Sequence, residues 1–307
     1  MTSVLLGFAT IGTIIGLGVL LAHLGVLGLD TQAVLSRLAF FVASPALMVT
    51  VVGDADVAEL FSRTLLASAG AILLAGLLYI VVAHYLWRRS GPHVTIGTMS
   101  AVYVNAGNLG LPIAAYVLGD AALIAPMLLM QMLVIQPLAL GVMDTLLAPT
   151  GFSFRRAALT PFANPISIAS MIGVVLAATG WVLPAPVRDP LELVAGMAVP
   201  SMLLAYGVSL RLGPKPGQGT SAFEIGFITV VKLVIQPTVA YLLGRFALGL
   251  EGTPLLAVTV VAALPTAQNI FVIATRYGQG VVVARDAIFT TTVLSVPALV
   301  AIVALVA

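Results

Sequence analysis

Cysteine is absent from this 307-residue chain, and charge is nearly so: 13 Lys and Arg, 11 Asp and Glu, and three His. Without cysteine there are no disulfides, no thiolate nucleophile and no cysteine metal site, and the redox compartment stays open. Three scattered histidines make no metal-binding spacing. Charged residues are 8% of the chain, against about 25% in a soluble domain, which excludes a water-soluble globule. The basic residues stand singly or in pairs, so a formal charge of +2 carries no nucleic-acid patch. No long polar tail and no nucleophile-base set is present, so no enzyme chemistry, cofactor or metal is expected.

What fills the chain instead is apolar sequence: 61% hydrophobic residues and a mean hydropathy of +1.16. A membrane span needs about 20 mostly apolar residues. Ten segments meet this, near 3–23, 31–52, 61–83, 95–118, 121–144, 162–182, 190–210, 222–244, 254–274 and 283–306. The first, MTSVLLGFATIGTIIGLGVLLAH, lacks a basic leader and a small-residue cleavage signal, and reads as a retained helix. One transmembrane transporter domain, 1–307, is expected.

Basic residues orient the spans. Odd-numbered connections hold Arg88, Arg89, Arg155, Arg156, Arg211, Lys215, Arg276 and Arg285; even-numbered ones hold Arg63, Arg188 and Arg245. The odd connections are therefore cytoplasmic, and both termini are expected on the non-cytoplasmic side of a plasma membrane, the inner membrane of a bacterium. His84 and His93 read as surface residues of the basic connection. Glu192, Glu224, Arg37 and Asp286 read as boundary residues.

Two segments are broken: Asn105-Ala106-Gly107-Asn108-Leu109-Gly110-Leu111-Pro112 and Ala263-Leu264-Pro265-Thr266-Ala267-Gln268-Asn269. They fall in spans four and nine, in opposite halves of the chain. Five spans per half make the second repeat inverted, with a first five-helix repeat over 1–145 and a second over 160–307. Proline pairs agree: Pro45 with Pro200, Pro112 with Pro265, Pro137 with Pro297, at offsets of 155, 153 and 160. The word Leu-Val-Ile-Gln-Pro occurs at 133–137 and at 233–237, an offset of 100 that fits no such pairing. It reads as one local kink used twice.

A break at membrane depth must face protein or a cavity, because lipid satisfies no backbone group. Asn105, Gly107, Asn108 and Pro112 in the first break, and Pro265, Thr266, Gln268 and Asn269 in the second, are the candidate substrate-binding residues. Their amides, hydroxyl and freed backbone can hold a carboxylate without a fixed positive charge. The first break is glycine-rich and should be unwound; the second is expected only to bend. Lys232, well inside span eight, is the candidate for charge compensation or coupling. Tyr103, Tyr116, Tyr206 and Gln136 are further candidates for a cavity wall.

Asn105-x-Gly107-Asn108-x-Gly110-x-Pro112, Asn164-Pro165, Lys232 in the run to Pro237, and Pro265-Thr-Ala-Gln-Asn-Ile-Phe resemble the auxin efflux carrier family. That family includes plant PIN carriers and bacterial malonate- or malate-type permeases. The resemblance spans essentially the whole chain. It implies an all-α fold of ten helices in two inverted repeats, like the antiporter NhaA, with broken helices four and nine crossing. It further implies elevator-like alternating access and an anion-binding asparagine matching Asn105. Plant members form dimers, which makes a second copy of this chain a candidate partner beside the lipid bilayer.

The expected function is secondary transport of a small organic anion, most simply a carboxylate. The alternative is a sodium- or proton-coupled transporter of another substrate, or a cation/proton antiporter of the same fold. Proton and sodium are the candidate coupling ions. The lack of a paired carboxylate at any span centre counts against the antiporter.

Overall fold

Lipid cannot hydrogen-bond a peptide group, so a chain this apolar must close its backbone bonds within helices. The computed structural model describes residues 2–54, 63–110, 113–114, 118–119, 121–147, 165–213 and 222–306. Among these the structure is all-α and contains no sheet, only one isolated antiparallel bridge between Val104 and Thr266.

The helices in chain order are α1 (Thr2–His23), α2 (Leu29–Gly53) and α3 (Arg63–Leu86), α4 (Gly91–Val102) and α5 (residues 125–146). Then come α6 (Pro165–Thr179), α7 (Ala185–Leu212) and α8 (Ala222–Ala247), α9 (Gly252–Ala262), α10 (Asn269–Tyr277) and α11 (Val281–Val306). Five of them, α2, α3, α7, α8 and α11, are each long and apolar enough to cross a bilayer alone. The segment expected as span nine is two short helices, α9 and α10, separated by residues 263–268. The second break is therefore fully unwound, and the expectation of a mere bend is corrected. Pro265 explains it: it offers no N–H to a helix and drives Leu264 towards extended backbone.

At three described sites proline is absorbed without a break. Pro45, Pro137 and Pro237 each follow a five-residue wide turn, at Ala39–Ala43, Gln131–Ile135 and Val231–Ile235. In each, the next N–H reaches back five residues: Ser44 to Ala39, Gln136 to Gln131, Gln236 to Val231. The inserted residue shifts the carbonyl that the proline ring would strike. The repeated Leu-Val-Ile-Gln-Pro word thus builds the same local turn in α5 and in α8.

Close packing depends on glycine at a few sites. A Cβ on Gly207 of α7 would lie 2.3 Å from the Ile15 carbonyl oxygen and 2.9 Å from the Gly18 Cα of α1, so these two backbones touch. A Cβ on Gly173 of α6 would lie 2.9 Å from the Met48 carbonyl oxygen of α2. Small residues let membrane helices approach this closely. Outward faces stay apolar: Leu66, Leu73 and Leu77 on α3, and Phe289, Val293 and Leu294 on α11, are exposed. Val104, Leu109, Ile124, Met127, Val260 and Leu264 bury one another around the two breaks, which places them in the core.

Candidate functional site

Helix α4 stops at Val102 because Tyr103 turns extended, at φ −82° and ψ 111°. The chain runs straight to Asn105 and then re-coils as a single wide turn, Ala106–Gly110. Here it meets the second break. Asn105 N–H donates to the Pro265 carbonyl at 2.8 Å, and Ala267 N–H donates to the Tyr103 carbonyl at 3.2 Å. Two extended segments from distant parts of the sequence therefore bond to each other.

Such a bridge leaves its outer edges bare, and bare peptide groups are costly in a dry core. Side chains close them. Gln131 of α5 accepts from Val104 N–H at 2.6 Å and donates to the Val104 carbonyl at 3.1 Å, so its amide serves as a third strand one residue long. Across the bridge, Thr266 N–H donates to Thr291 Oγ1 of α11 at 3.1 Å, and Thr266 Oγ1 donates to the Ser100 carbonyl at 2.6 Å. Gln131 lies six residues before Pro137 and Thr291 six before Pro297. The same register thus serves both breaks.

The carbonyl end of α4 carries the negative pole of its dipole. Lys232 Nζ donates to the Val102 carbonyl at 3.2 Å and to Gln236 Oε1 at 2.8 Å, while Gln236 Nε2 donates to the same carbonyl at 3.1 Å. Lys232 is fully buried. Its Nζ is held against the helix end, behind the crossing.

In front of the crossing is a cavity of about 80 Å³, room for several waters or a small solute. Phe40 and Met48 of α2 and Val199 and Met202 of α7 form an apolar wall. The opposite wall is polar, with Tyr103, Asn105, Gln131, Gln136, Gln268 and Asn269. Tyr103 O–H and Asn269 Nδ2 both donate to Gln136 Oε1, at 2.9 and 2.8 Å. Asn105 Nδ2 and Asn269 Oδ1 are buried with no hydrogen-bond partner. Gly107 also lines the cavity, and a Cβ there would meet nothing within 4 Å. No Asp, Glu, Lys, Arg or His is among the lining residues described. The arrangement can orient a small polar solute by hydrogen bonds, but it offers no counter-charge.

Residues 152–303 match the family model described as membrane transport protein. A protein of Rhizobium meliloti (strain 1021), provisionally named a malonate transporter, is 29% identical over 266 residues, covering 83% of this chain and 81% of its own length. An uncharacterized transporter of Methanothermobacter thermautotrophicus is 27% identical over 288 residues, covering 92% of each chain. The chain is a polytopic membrane transporter related to that family.

In this transporter the candidate residues divide. Asn105, Gly107, Gln268 and Asn269 line the cavity together. Pro265 and Thr266 form the bridge and are not among the lining residues, and neither is Lys232. The wide turn includes the backbone of Asn108, whose side chain lies outside the described residues, as does Pro112. Tyr103 and Gln136 do reach the wall. Tyr206 instead donates to the Arg285 carbonyl at 3.0 Å and packs on Phe271, and Tyr116 lies outside the described residues.

Gln131 and Thr291 were not anticipated, although a lone amide and hydroxyls in apolar spans are signals of buried polar duty. His93 and Glu224 are corrected. Glu224 is buried and takes Tyr79 O–H at 3.0 Å, Arg89 at 2.6 Å and His93 Nε2 at 2.7 Å, tying the start of α8 to α3 and α4. Three hydrogen-bonding partners, one of them a guanidinium, let a carboxylate be buried where a lone one could not be. Asp286 is buried against Arg285, which donates to it from Nε and Nη2 at 2.8 and 2.6 Å.

Proposed function

We propose that the transporter is a secondary carrier of small organic anions, carboxylates in the first place, with Asn105 as a direct substrate contact. The unpartnered Asn105 Nδ2, in a cavity with no charged residue among its described lining, carries this reading. A donor held where the local dielectric is low strengthens the grip on an anion, and the lack of a fixed cation keeps release easy. The name of the Rhizobium relative, which speaks of malonate, points to the same chemical class.

In this reading the chain has ten spans in two inverted five-helix repeats, 1–145 and 160–307, in an NhaA-like arrangement. The bridge between the two breaks, and Gln131 and Thr291 at equal distance from Pro137 and Pro297, support it. The bonded elements around the crossing move as a body past α1, α2, α6 and α7, giving elevator-like access to each side. The termini face away from the cytoplasm. Arg285 is buried beside Asp286, so it drops out of the basic bias, which keeps its sign at seven against three. A homodimer in the bacterial inner membrane is the expected assembly. Gly107, Asn108, Gln268 and Asn269 complete the substrate contacts, Pro112, Pro265 and Thr266 shape the breaks, and Lys232 compensates the end of α4.

Counterflow in proteoliposomes with a panel of mono- and dicarboxylates tests the function. Saturable exchange is expected, with Asn105→Ala folding normally and losing at least tenfold in kcat/KM. Conductance without saturation would replace the carrier by a channel, and unchanged Asn105→Ala kinetics would remove Asn105 from the site.

A further inference from the structure

On the polar wall of the cavity, Asn105 carries a donor and Asn269 an acceptor with no hydrogen-bond partner. Asn105 is 3% exposed, and its Nδ2 has no partner. Asn269 commits its Nδ2 to Gln136 Oε1, an atom that only accepts and that Tyr103 O–H also reaches. This bond sets the sense of the Asn269 amide and leaves its buried Oδ1 as an acceptor with no partner.

A carboxylate seated between Asn105 and Asn269 answers only half of this pair. It has lone pairs for Asn105 but no proton for Asn269, so acceptor would face acceptor where the dielectric is low. An un-ionised carboxyl group answers both: its C=O accepts from Asn105 and its O–H donates to Asn269.

Charged groups on the surrounding elements are not lining residues and are engaged elsewhere. Asp144 of α5 accepts from Tyr277 at 2.7 Å, and Arg276 of α10 lies over the Phe40 and Phe41 rings of α2. His93 of α4 meets Glu224, Lys232 of α8 holds Val102, and Arg285 and Asp286 of α11 hold each other. On α7, Arg188 pairs with Asp54 and Glu192, and Arg211 meets His23. Arg37 of α2 is not among the lining residues either. The titratable lining residue is Tyr103, whose proton is donated to Gln136.

We propose that the transporter carries its substrate with one carboxyl group protonated, seated between Asn105 Nδ2 and Asn269 Oδ1. The proposal rests on the reading of Asn105 as a substrate contact. A dicarboxylate then travels as its half-protonated acid with a single negative charge. The carboxylate takes a proton from water on the loading side, and the acid returns it on the other side, so the side chains end as they began. Proton coupling follows without a titrating residue at the site.

Binding of malonate and of its monoamide, malonamate, to the purified transporter tests this across pH values on both sides of malonate's second ionisation. The amide presents a permanent N–H donor and C=O acceptor where the acid has its carboxyl, and it does not titrate there. Malonate affinity should fall about tenfold per pH unit above that ionisation, while malonamate affinity stays flat and exceeds it at high pH. Malonate affinity that holds constant while the dianion dominates would overturn the proposal. So would malonamate failing to compete, or a sodium requirement for holding the dianion. Asn105→Ala separates the two levels: loss of both probes supports the site, while unchanged affinity for both overturns the site and the proposal together. No binding of malonate, succinate or acetate by the native chain would overturn the proposed function itself.

Discussion

At the residue scale the crossing depends on side chains that imitate backbone. Gln131 supplies both bonds to the Val104 peptide group, so Gln131→Leu would leave a buried N–H and C=O bare. At about 1–3 kcal/mol for each unsatisfied group, the loss should be about 2–6 kcal/mol, read as a lower unfolding temperature in detergent. Gln131→Glu keeps the acceptor and should fall between the two. Gly107→Ala is the opposite kind of change. Its methyl enters open cavity, so stability should hold while KM for the larger substrates in a carboxylate panel rises; a lower unfolding temperature with KM unchanged would place the methyl against protein instead. Asn105 and Gly107 were legible in the sequence because breaks in apolar segments announce themselves. Gln131 was not, because nothing in an isolated amide shows which peptide group, 27 residues away, it will close.

At the element scale, a wide turn precedes Pro45, Pro137 and Pro237 within their helices, whereas at Pro265 the helix gives way to backbone bonded elsewhere. Leu-Val-Ile-Gln-Pro was readable as a kink, and both copies place a glutamine at the crossing: Gln136 towards the cavity, Gln236 towards Val102. The unwinding of residues 263–268 was underestimated, since one proline and no glycine suggested a bend. What extends this stretch is bonding to Tyr103 and Asn105, a tertiary cause that no local pattern contains. Lys232 belongs to the same scale. Lys232→Met takes one of two side-chain donors from the Val102 carbonyl and should cost about 0.5–1.5 kcal/mol, the range for a net hydrogen bond, measured by thermal unfolding. Because Lys232 is not a lining residue, substrate Kd in the folded fraction should change less than threefold; a larger change would show that its field reaches the cavity.

At the scale of the whole molecule, α1 packs on α7 and α6 on α2 through glycine contacts, while the crossing ties α4 to the segment between α9 and α10. Apolar segments could be counted from the sequence, but which helix touches which could not, because Gly18 and Gly207 look like any other membrane glycines. Gly207→Leu should separate α1 from α7, and overpacking of this kind costs about 1–3 kcal/mol, visible as a lower unfolding temperature. A disulfide tests the moving body directly. Val104 and Thr266 face each other as a non-hydrogen-bonded pair, where Cα atoms lie about 4.5 Å apart, within disulfide reach. In this cysteine-free chain, a Val104→Cys, Thr266→Cys double variant should cross-link and keep transporting if the crossing travels as a unit. Arrest on oxidation with recovery on reduction would show that the two breaks slide past each other.

The bridge also imposes an order of assembly. Val104 can find its partner Gln131 while the first half of the chain is still emerging, but Asn105 and Tyr103 must wait for Pro265 and Ala267, some 160 residues later. Until then that N–H and C=O stand bare at membrane depth, as does the Val102 carbonyl that Lys232 and Gln236 will meet, which is costly in lipid. The first half thus leaves synthesis with unmet peptide groups that are satisfied only once α8 and the segment between α9 and α10 have been made.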